Sequence, residues 1–205
     1  NAGNPRVAFR ESISKKTEGE ALFDREIGGR RHYAGVKISV EPYVDLEGNH
    51  QFLFQNKLPE GEGVPNGFVE SVEHGVLDQM KSGILMGHAV IGLKVGLVSV
   101  AYSELDSTEM AFKAASSMAL REALLEGESK LLEPIMAVEI VSPEEYMGDI
   151  SGDINRRRGL VVGLDDLGSN KKLKAQVPLS EMFGYSTHLR SRSQGRATFT
   201  MEFKN

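Results

Sequence analysis

The hydrophobic pattern is most regular between residues 105 and 127, where it predicts the long helix around which the rest of the chain is arranged. Asp106 followed by Glu109 is typical of a capping box, in which side chains accept the free N–H groups of the first turn. Gly127 predicts the end of the helix. The apolar positions recur every three or four residues and form a broad face of mostly small side chains, which indicates close packing on a sheet: Phe112, Ala115, Ala119 and Ala123.

Shorter patterns predict the other elements of the first 130 residues. Apolar residues at a strict spacing of four predict a second helix from Phe68 that Gly83 closes. Runs of alternating or continuous apolar residues predict strands at residues 6–13, 17–27, 30–40, 51–55 and 88–100. Gly28 and Gly29 join the second and third strands, because paired glycines reach the positive φ values of a tight two-residue hairpin turn.

The last 75 residues show a clearer order of predicted strands and helices. A strand is predicted over residues 131–141, and Ser142-Pro143-Glu144-Glu145 has the residue types of a helix start. Strands over 159–164 and 172–177, a helix around Tyr185 and a strand over 197–203 follow. The order βαββαβ is that of a ferredoxin-like domain. Pro134 cannot continue a helix, so the segment around it is interpreted as the joint between two domains, residues 1–130 and 131–205.

Composition is that of an ordinary globular protein, with 40% hydrophobic and 26% charged residues and no cysteine. The net charge is −5, and it resides in residues 1–130, which carry 14 basic and 19 acidic side chains against 10 of each in residues 131–205. Bulk charge therefore does not indicate a nucleic-acid partner, which local basic clusters would have to bind. No apolar run has the length of a membrane span, and we expect no membrane partner.

Motifs for catalysis or cofactor binding are missing from the sequence. The five histidines stand singly, without the i+3 or i+4 partner that a helical metal site needs. There is no Gly-x-Ser-x-Gly nucleophile elbow and no phosphate-binding P-loop, and a thiol nucleophile is impossible without cysteine. We therefore predict no catalytic residue, no metal and no cofactor in this chain.

Three basic clusters are the candidate functional residues. The hairpin Gly28-Gly29-Arg30-Arg31-His32-Tyr33 presents flat backbone, guanidinium groups and rings that can stack, which suit RNA. The second cluster is Arg156, Arg157 and Arg158 at a predicted helix end, and the third surrounds the last helix with Arg190, Arg192 and Arg196. For each cluster the alternative is a solvated surface, and the favourable interaction of cations with the dipole at a helix C-terminus alone could account for Arg156 to Arg158.

Several longer segments of this sequence, between about residue 6 and residue 203, resemble the C-terminal half of elongation factor G, which comprises its domains IV and V. They are Gly28-Gly29-Arg30, Ser39-Val40-Glu41-Pro42, Asp106-Ser107-Thr108-Glu109-Met110-Ala111-Phe112-Lys113-Ala114-Ala115, Leu132-Glu133-Pro134-Ile135-Met136, Pro143-Glu144-Glu145-Tyr146-Met147-Gly148-Asp149, Arg157-Arg158-Gly159 and Val177-Pro178-Leu179-Ser180-Glu181-Met182-Phe183-Gly184-Tyr185. These segments occur in the same order as in the family, and together they are highly specific for it.

The resemblance implies an α+β chain of two domains, an S5-domain-2-like domain IV followed by a ferredoxin-like domain V. It implies the ribosome-binding part of a cytoplasmic, monomeric translational GTPase, whose GTP and Mg²⁺ would be bound by an N-terminal domain that this chain lacks. In the family, the domain IV tip enters the decoding region beside tRNA and mRNA during translocation, and domain V lies against ribosomal RNA near the stalk base. Some members split spent ribosomes with a recycling factor.

The chain departs from the family pattern at the tip. The familiar motif is Gly-Gly-x-Gly-Gln, and here the hairpin reads Gly28-Gly29-Arg30-Arg31-His32. The second tip loop usually carries Tyr-His, and here it carries Tyr102-Ser103. These changes favour a divergent second copy of the factor, with Tyr102 and Ser103 beside the hairpin as the RNA-contacting tip. Two alternatives are kept: ribosome recycling, and a non-catalytic module that binds protein.

Overall fold

The computed structural model describes residues 7–204, which form two compact units. One comprises Phe9–Leu132, and the other comprises residues 7–8 together with the chain from Glu133 to the end of the described residues. The division lies between Leu132 and Glu133, two residues beyond the boundary placed from the sequence. Each unit has its own sheet and its own buried apolar cluster, so the chain has the predicted α+β class.

The first unit is built on a four-stranded sheet with two helices on one face. Its elements in chain order are β1 (Arg10–Ile13), β2 (Thr17–Ile27), β3 (Arg30–Pro42), β4 (Phe52–Asn56), α1 (Asn66–Ser82), β5 (Leu93–Ala101), α2 (Glu109–Glu126) and β6 (Ser129–Leu132). The sheet order is β2-β3-β5-β4, in which β4 and β5 are parallel and the other pairs antiparallel. β1 and β6 pair separately as a two-stranded antiparallel sheet.

The small residues of α2 let the helix lie close to the sheet, as the sequence predicts. Ala115, Ala119 and Ala123 are fully buried, and the helix runs over β2 and β3 beside α1. At Gly19 in β2, an added Cβ would lie 1.9 Å from the carbonyl oxygen of Ala119. The helix therefore approaches the strand backbone at a point where only glycine fits.

The start of α2 differs from the prediction. The N-cap is Thr108, whose Oγ1 accepts the N–H of Ala111 at 3.2 Å, so the capping box predicted at Asp106 is wrong. The carboxylate of Asp106 is engaged by Arg31 instead. Residues before Thr108 form a separate turn, closed by the N–H of Ser107 donating to the carbonyl of Ser103 at 2.9 Å.

Strand limits in the first unit also differ from the prediction. The first strand begins at Arg10, and the predicted start at Arg6 lies outside the described residues. The strand predicted from His88 begins only at Leu93. The intervening segment is an irregular loop, because Glu11 in β1 binds its backbone: the Glu11 carboxylate accepts the His88 N–H, and the Glu11 backbone bonds to Ala89 and Ile91.

Glu11 is a buried carboxylate that ties β1 to the loop between α1 and β5. It is 1% exposed and accepts four backbone N–H groups, from Ile84 (2.7 Å), Leu85 (2.9 Å), Met86 (3.4 Å) and His88 (2.9 Å). Burial alone would raise the pKa of this carboxyl group. The four N–H donors together outweigh burial and hold the pKa below its ordinary value of 4.5.

The second unit has the predicted βαββαβ order. Its elements are β7 (Ile135–Pro143), α3 (Met147–Arg156), β8 (Leu160–Asp166), β9 (Asn170–Pro178), α4 (Tyr185–Ser193) and β10 (Thr198–Phe203). All pairs in the sheet β10-β7-β9-β8 are antiparallel. Apolar residues from the strands and both helices form one buried cluster, among them Val138, Ile140, Ile154, Leu173 and Leu189.

Two predictions for the second unit are corrected. The single strand predicted over 131–141 is two strands, because β6 ends at Leu132 and β7 begins at Ile135. Pro134 between them has no N–H for a continuous ladder. The helix start predicted at Ser142 is a single 3-10 turn, Glu144–Tyr146, without a side-chain cap. The hydroxyl of Ser142 donates to the carbonyl of Pro143 instead.

Candidate nucleic-acid interface

The tip of the first unit is the hairpin that joins β2 and β3. Ile27 pairs with Arg30 across the turn, and Gly28 and Gly29 have φ values of 64° and 79°. Two consecutive positive φ values fit the two-residue turn that matches strand twist. A Cβ at either glycine would meet nothing within 4 Å, so backbone conformation rather than space requires glycine here.

Alternation along the hairpin separates its basic residues by face. Arg25 pairs with His32 and Ile27 with Arg30, and paired residues share a face. The same face carries the buried Phe23, and the helices cover this face at positions farther from the turn. Arg25, Arg30 and His32 therefore lie on the helix-bearing side, and Arg31 lies on the open side of the sheet.

Arg31 is held by two carboxylates. Its Nε and Nη2 donate to the two oxygens of Asp24 at 2.9 Å each, and its Nη1 donates to Asp106 at 3.2 Å. The guanidinium also lies 5.0 Å from the ring centre of Tyr33. The hydrogen bonds from Arg31 lower the pKa of Asp24, and the same contacts raise the pKa of Arg31. This arginine joins both strands of the hairpin to the loop before α2.

His32 and Tyr33 complete the connection between the hairpin and that loop. His32 Nδ1 lies 2.9 Å from Thr108 Oγ1. The Tyr33 N–H donates to the Asp106 carbonyl at 3.0 Å, and the Ser107 hydroxyl donates to the Tyr33 carbonyl at 2.8 Å. The structure thus brings together the two segments that the sequence places at the tip.

Tyr102 and Ser103 lie farther from the hairpin turn than the hairpin residues do, since β5 ends at Ala101 opposite Gly35. Tyr102 is half-buried, and its ring centre is 5.7 Å from that of Phe68. Ser103 shapes the turn, since its N–H donates to the Ser107 hydroxyl at 2.9 Å. Leu105, 87% exposed, is the most exposed apolar side chain of the loop. Nothing in the local sequence pattern had marked it as a tip residue.

Carboxylates at the tip are the feature that sequence reasoning missed. A two-residue turn fixes the register, and this register places Asp24 opposite Tyr33 and diagonal to Arg31. That partner of Arg31 could have been found from the turn alone. Asp106 could not, because it comes from a loop 75 residues away.

Arg157 and Arg158 of the second unit serve contacts within that unit. Arg157, with a side chain 17% exposed, donates to Asp153 at 2.9 Å and lies 4.9 Å from the ring centre of Tyr185. Arg158 binds Glu133 at 2.7 Å and Glu181 at 3.0 Å. These hydrogen bonds, first to Glu133 and then to Glu181, raise the pKa of Arg158. Arg158 thereby holds Glu133, the residue that follows the last residue of the first unit, by a salt bridge within the second unit.

The remaining predicted arginines are exposed. The side chain of Arg156 is 68% exposed and lies 3.9 Å from Asp153. Arg190 and Arg192 are exposed in the last turn of α4, and neither forms an ion pair within residues 7–204. Arg196 pairs with Glu145 at 2.9 Å. Arg156, Arg190 and Arg192 are thus the arginines of this unit best placed to meet a phosphate backbone.

Metal clusters and membrane-spanning helices are both missing from the described part of the chain. Over residues 7–204, no three histidine, aspartate or glutamate side chains are arranged to hold a metal ion. None of the helices in the described chain combines the length and apolar character needed to cross a membrane.

Comparison with known proteins gives matches over nearly the whole chain. Residues 5–128 match the family model described as elongation factor G, domain IV, and residues 130–205 match the elongation factor G C-terminus. A crystal structure of a protein from Thermus thermophilus superposes with a TM-score of 0.90 at 31% sequence identity. The match covers 99% of this chain and 30% of that one, so the chain spans less than a third of its solved relative.

Proposed function

Because the chain belongs to the elongation factor G family, we propose that it is the ribosome-binding part of a larger translational GTPase. Its first unit corresponds to domain IV and its second to domain V. In this proposal, the Gly28–Gly29 hairpin enters the decoding region of the small subunit while tRNA and mRNA move. GTP and Mg²⁺ are bound by another domain of the cytoplasmic parent protein, which acts as a monomer.

The observation that carries the proposal is the one-sided chemistry of the hairpin tip. Arg25, Arg30 and His32 share the helix-bearing face, and Arg30 has no ion-pair partner among the described residues. A guanidinium can bind phosphate oxygens and stack on an unpaired base. The opposite face carries Asp24, Glu26 and Arg31, and because Arg31 is already paired with Asp24 and Asp106, the remaining charge there repels phosphate. We therefore assign RNA contact at the tip to the helix-bearing face.

Arg31 has a supporting role in this proposal. Asp24 and Asp106 already occupy its donors, so it holds the hairpin against the loop before α2. Of the two neighbouring arginines, Arg30 is the one that remains available for RNA. Arg156, Arg190 and Arg192 are proposed to contact large-subunit RNA near the stalk base.

The test uses the full-length parent protein in a single-turnover translocation assay. Arg30→Ala is expected to slow translocation at least tenfold while leaving ribosome-stimulated GTP hydrolysis within twofold, because hydrolysis takes place in another domain. Its stability should change by no more than about 0.5 kcal/mol, as is typical of exposed positions. Translocation at the native rate in Arg30→Ala would refute the assignment.

Arg121→Ala is the matched control. Arg121 is exposed on α2, away from the hairpin, so its loss removes the same charge without touching the tip. Ribosome binding by both variants should weaken as salt rises, since phosphate contacts release counterions. Equal slowing by Arg30→Ala and Arg121→Ala would mean that total charge, not the tip, determines the effect.

A second candidate function is ribosome splitting together with a recycling factor. It is favoured by the departure of the hairpin from the family motif, with Arg31 and His32 in the positions of Gly and Gln. Assaying the parent for splitting beside translocation separates the two. A parent that splits ribosomes and does not translocate would assign it to recycling.

A further inference from the structure

Among the described residues, no strand pairs with the outer side of β2, one of the two edge strands of the first unit's sheet. β2 is the terminal strand of the order β2-β3-β5-β4. Because a two-residue turn makes Ile27 and Arg30 a hydrogen-bonded pair, every second residue of β2 bonds to β3 and the residues between them direct N–H and C=O outward. Counted from the turn, the outward residues are Glu26, Asp24, Leu22, Glu20 and Glu18.

A contact on the far side of β3 supports this assignment. Tyr33 lies opposite Asp24, and its N–H donates to Asp106 on the side away from β2. Asp24 and Tyr33 are therefore a non-hydrogen-bonded pair, as the count from the turn requires.

The outward residues are accessible along the whole strand. All five are exposed, and within the described chain none makes a backbone hydrogen bond to a segment outside the sheet. From Glu18 to Glu26 the strand offers a free edge of about 27 Å at the usual rise per residue. An edge of this length is a template for a further strand.

The side chains of this edge specify the chemistry of the partner. Alternation places four carboxylates and one leucine on the open face of the sheet. Asp24 is paired with Arg31 and Glu18 lies 3.6 Å from Lys37, whereas Glu20 and Glu26 have no ion-pair partner among residues 7–204. An added strand would place its own side chains directly opposite, where opposite charges stabilise and like charges destabilise.

A shallow depression lies beside the only apolar member of the row. Leu22, 55% exposed, borders a hollow lined also by Glu20, Gly35, Lys37 and Ala101. The ammonium of Lys37 lies 3.6 Å from Glu18, so Glu20 is the carboxylate of the hollow that has no ion-pair partner among residues 7–204. Gly35 keeps the hollow open, because a Cβ there would come within 2.7 Å of the Ala101 Cβ. The aliphatic stem of a lysine or arginine can lie in such a hollow while its charge reaches Glu20.

We propose that the free edge of β2 binds an extended, lysine- or arginine-rich polypeptide segment, which adds to the sheet as a fifth strand. Main-chain hydrogen bonds to the five outward residues supply the docking, and the carboxylates select basic side chains. RNA is disfavoured, because its phosphates would face the carboxylates of Glu20 and Glu26, which have no ion-pair partner among residues 7–204. A second copy of the chain is disfavoured for the same reason, since β2 against β2 sets acids opposite acids.

The test is amide hydrogen exchange on the intact chain with an eleven-residue peptide of alternating lysine and threonine. Binding should slow exchange of the five outward amides at least tenfold and leave the inward amides of β2 unchanged. A peptide of alternating glutamate and threonine should protect none of them. Equal protection by the glutamate peptide or by a single-stranded oligonucleotide, or no protection by the lysine peptide at low salt, would overturn the proposal.

Two variants examine the contributions separately. Glu20→Gln with Glu26→Gln should weaken lysine-peptide binding about fivefold or more, whereas Glu60→Gln with Glu62→Gln, which removes the same charge from an exposed loop, should not. Leu22→Pro deletes an outward N–H without removing a bond to β3, so it should abolish the protection pattern. Unchanged affinity in the β2 glutamine pair contradicts the proposal even if the proline variant does not fold.

Discussion

Replacing Glu11 tests how a buried carboxylate organises the base of the first unit. Its Oε1 accepts the N–H groups of Ile84 and Leu85, and its Oε2 accepts those of Met86 and His88. Glu11→Gln keeps the shape and one acceptor oxygen. Its amide nitrogen, however, must face two N–H donors that it cannot satisfy.

The expected loss follows from the number of bonds affected. A hydrogen bond to a charged group contributes about 1.5–3 kcal/mol, and leaving a buried donor unpaired costs about 1–3 kcal/mol. Because Leu85 and Met86 in this loop are exposed, we take the lower end for each bond. Glu11→Gln should then lower the free energy of unfolding by about 2–3 kcal/mol and Glu11→Ala by about 4 kcal/mol.

The pH dependence provides an independent check. The folded pKa of Glu11 is below its ordinary value of 4.5, so its contribution is fully present above that value and is lost as the pH falls toward the folded pKa. A protonated glutamate resembles glutamine. The difference in stability between the native protein and Glu11→Gln should therefore be complete at pH 7 and shrink steadily below pH 4.5.

The assay is urea unfolding at several pH values, combined with hydrogen exchange of the Ile84, Leu85 and His88 amides. Glu70→Gln, at an exposed position on α1, is the matched control and should leave stability within about 0.5 kcal/mol. The reasoning is refuted if Glu11→Gln is as stable as the native protein at pH 7. It is also refuted if the difference persists undiminished at pH 3.

Three further substitutions probe packing and polar contacts. Gly19→Ala should destabilise the first unit by about 3 kcal/mol in urea unfolding, because its Cβ would overlap the Ala119 carbonyl oxygen. The control Gly67→Ala meets only a flexible glutamate side chain at 3.1 Å and should be neutral. Equal effects of the two substitutions would disprove the close approach of helix and strand. Ser107→Ala removes a 7%-exposed hydroxyl that bonds the third strand, so the melting temperature should fall by an amount equivalent to about 1–2 kcal/mol, and an unchanged value would count against that bond. Burial raises the pKa of Tyr185 to about 12, so absorbance titration should find one of the five tyrosines ionising last. Tyr185→Phe should remove that late step. Stability should change little, because the Tyr185 hydroxyl has no hydrogen-bond partner among the described residues.

Periodicity in the sequence predicts most of the elements, because each helix and strand buries one face. The strand Thr17–Ile27 and the turn at Gly28 are found as expected, since alternation and positive φ are local properties. Helix caps are not local in this sense. Asp106 has the residue type of an N-cap, yet Arg31 occupies it from a distant strand and Thr108 caps the helix instead.

The candidate site could be predicted in position but not in its internal pairing. Sequence identifies Arg30 and Arg31 together, as neighbours of equal charge. The structure separates them, because alternation directs them to opposite faces and only Arg31 meets two carboxylates. Glu11 alternates with Phe9 and Ile13 on the apolar face of its strand, but its partners could not be predicted, since they are backbone groups more than 70 residues away.

The two-residue turn limits how the length of the hairpin can change. Inserting one residue into β2 would move every side chain beyond the insertion to the opposite face, so Arg25 would exchange sides with Asp24. Insertions or deletions that preserve the chemistry of both faces must therefore come as two residues in each strand, which lengthens or shortens the hairpin by about 7 Å per step. The reach of this tip can thus vary among relatives only in discrete increments, and hairpins of intermediate length would carry acids where the bases belong.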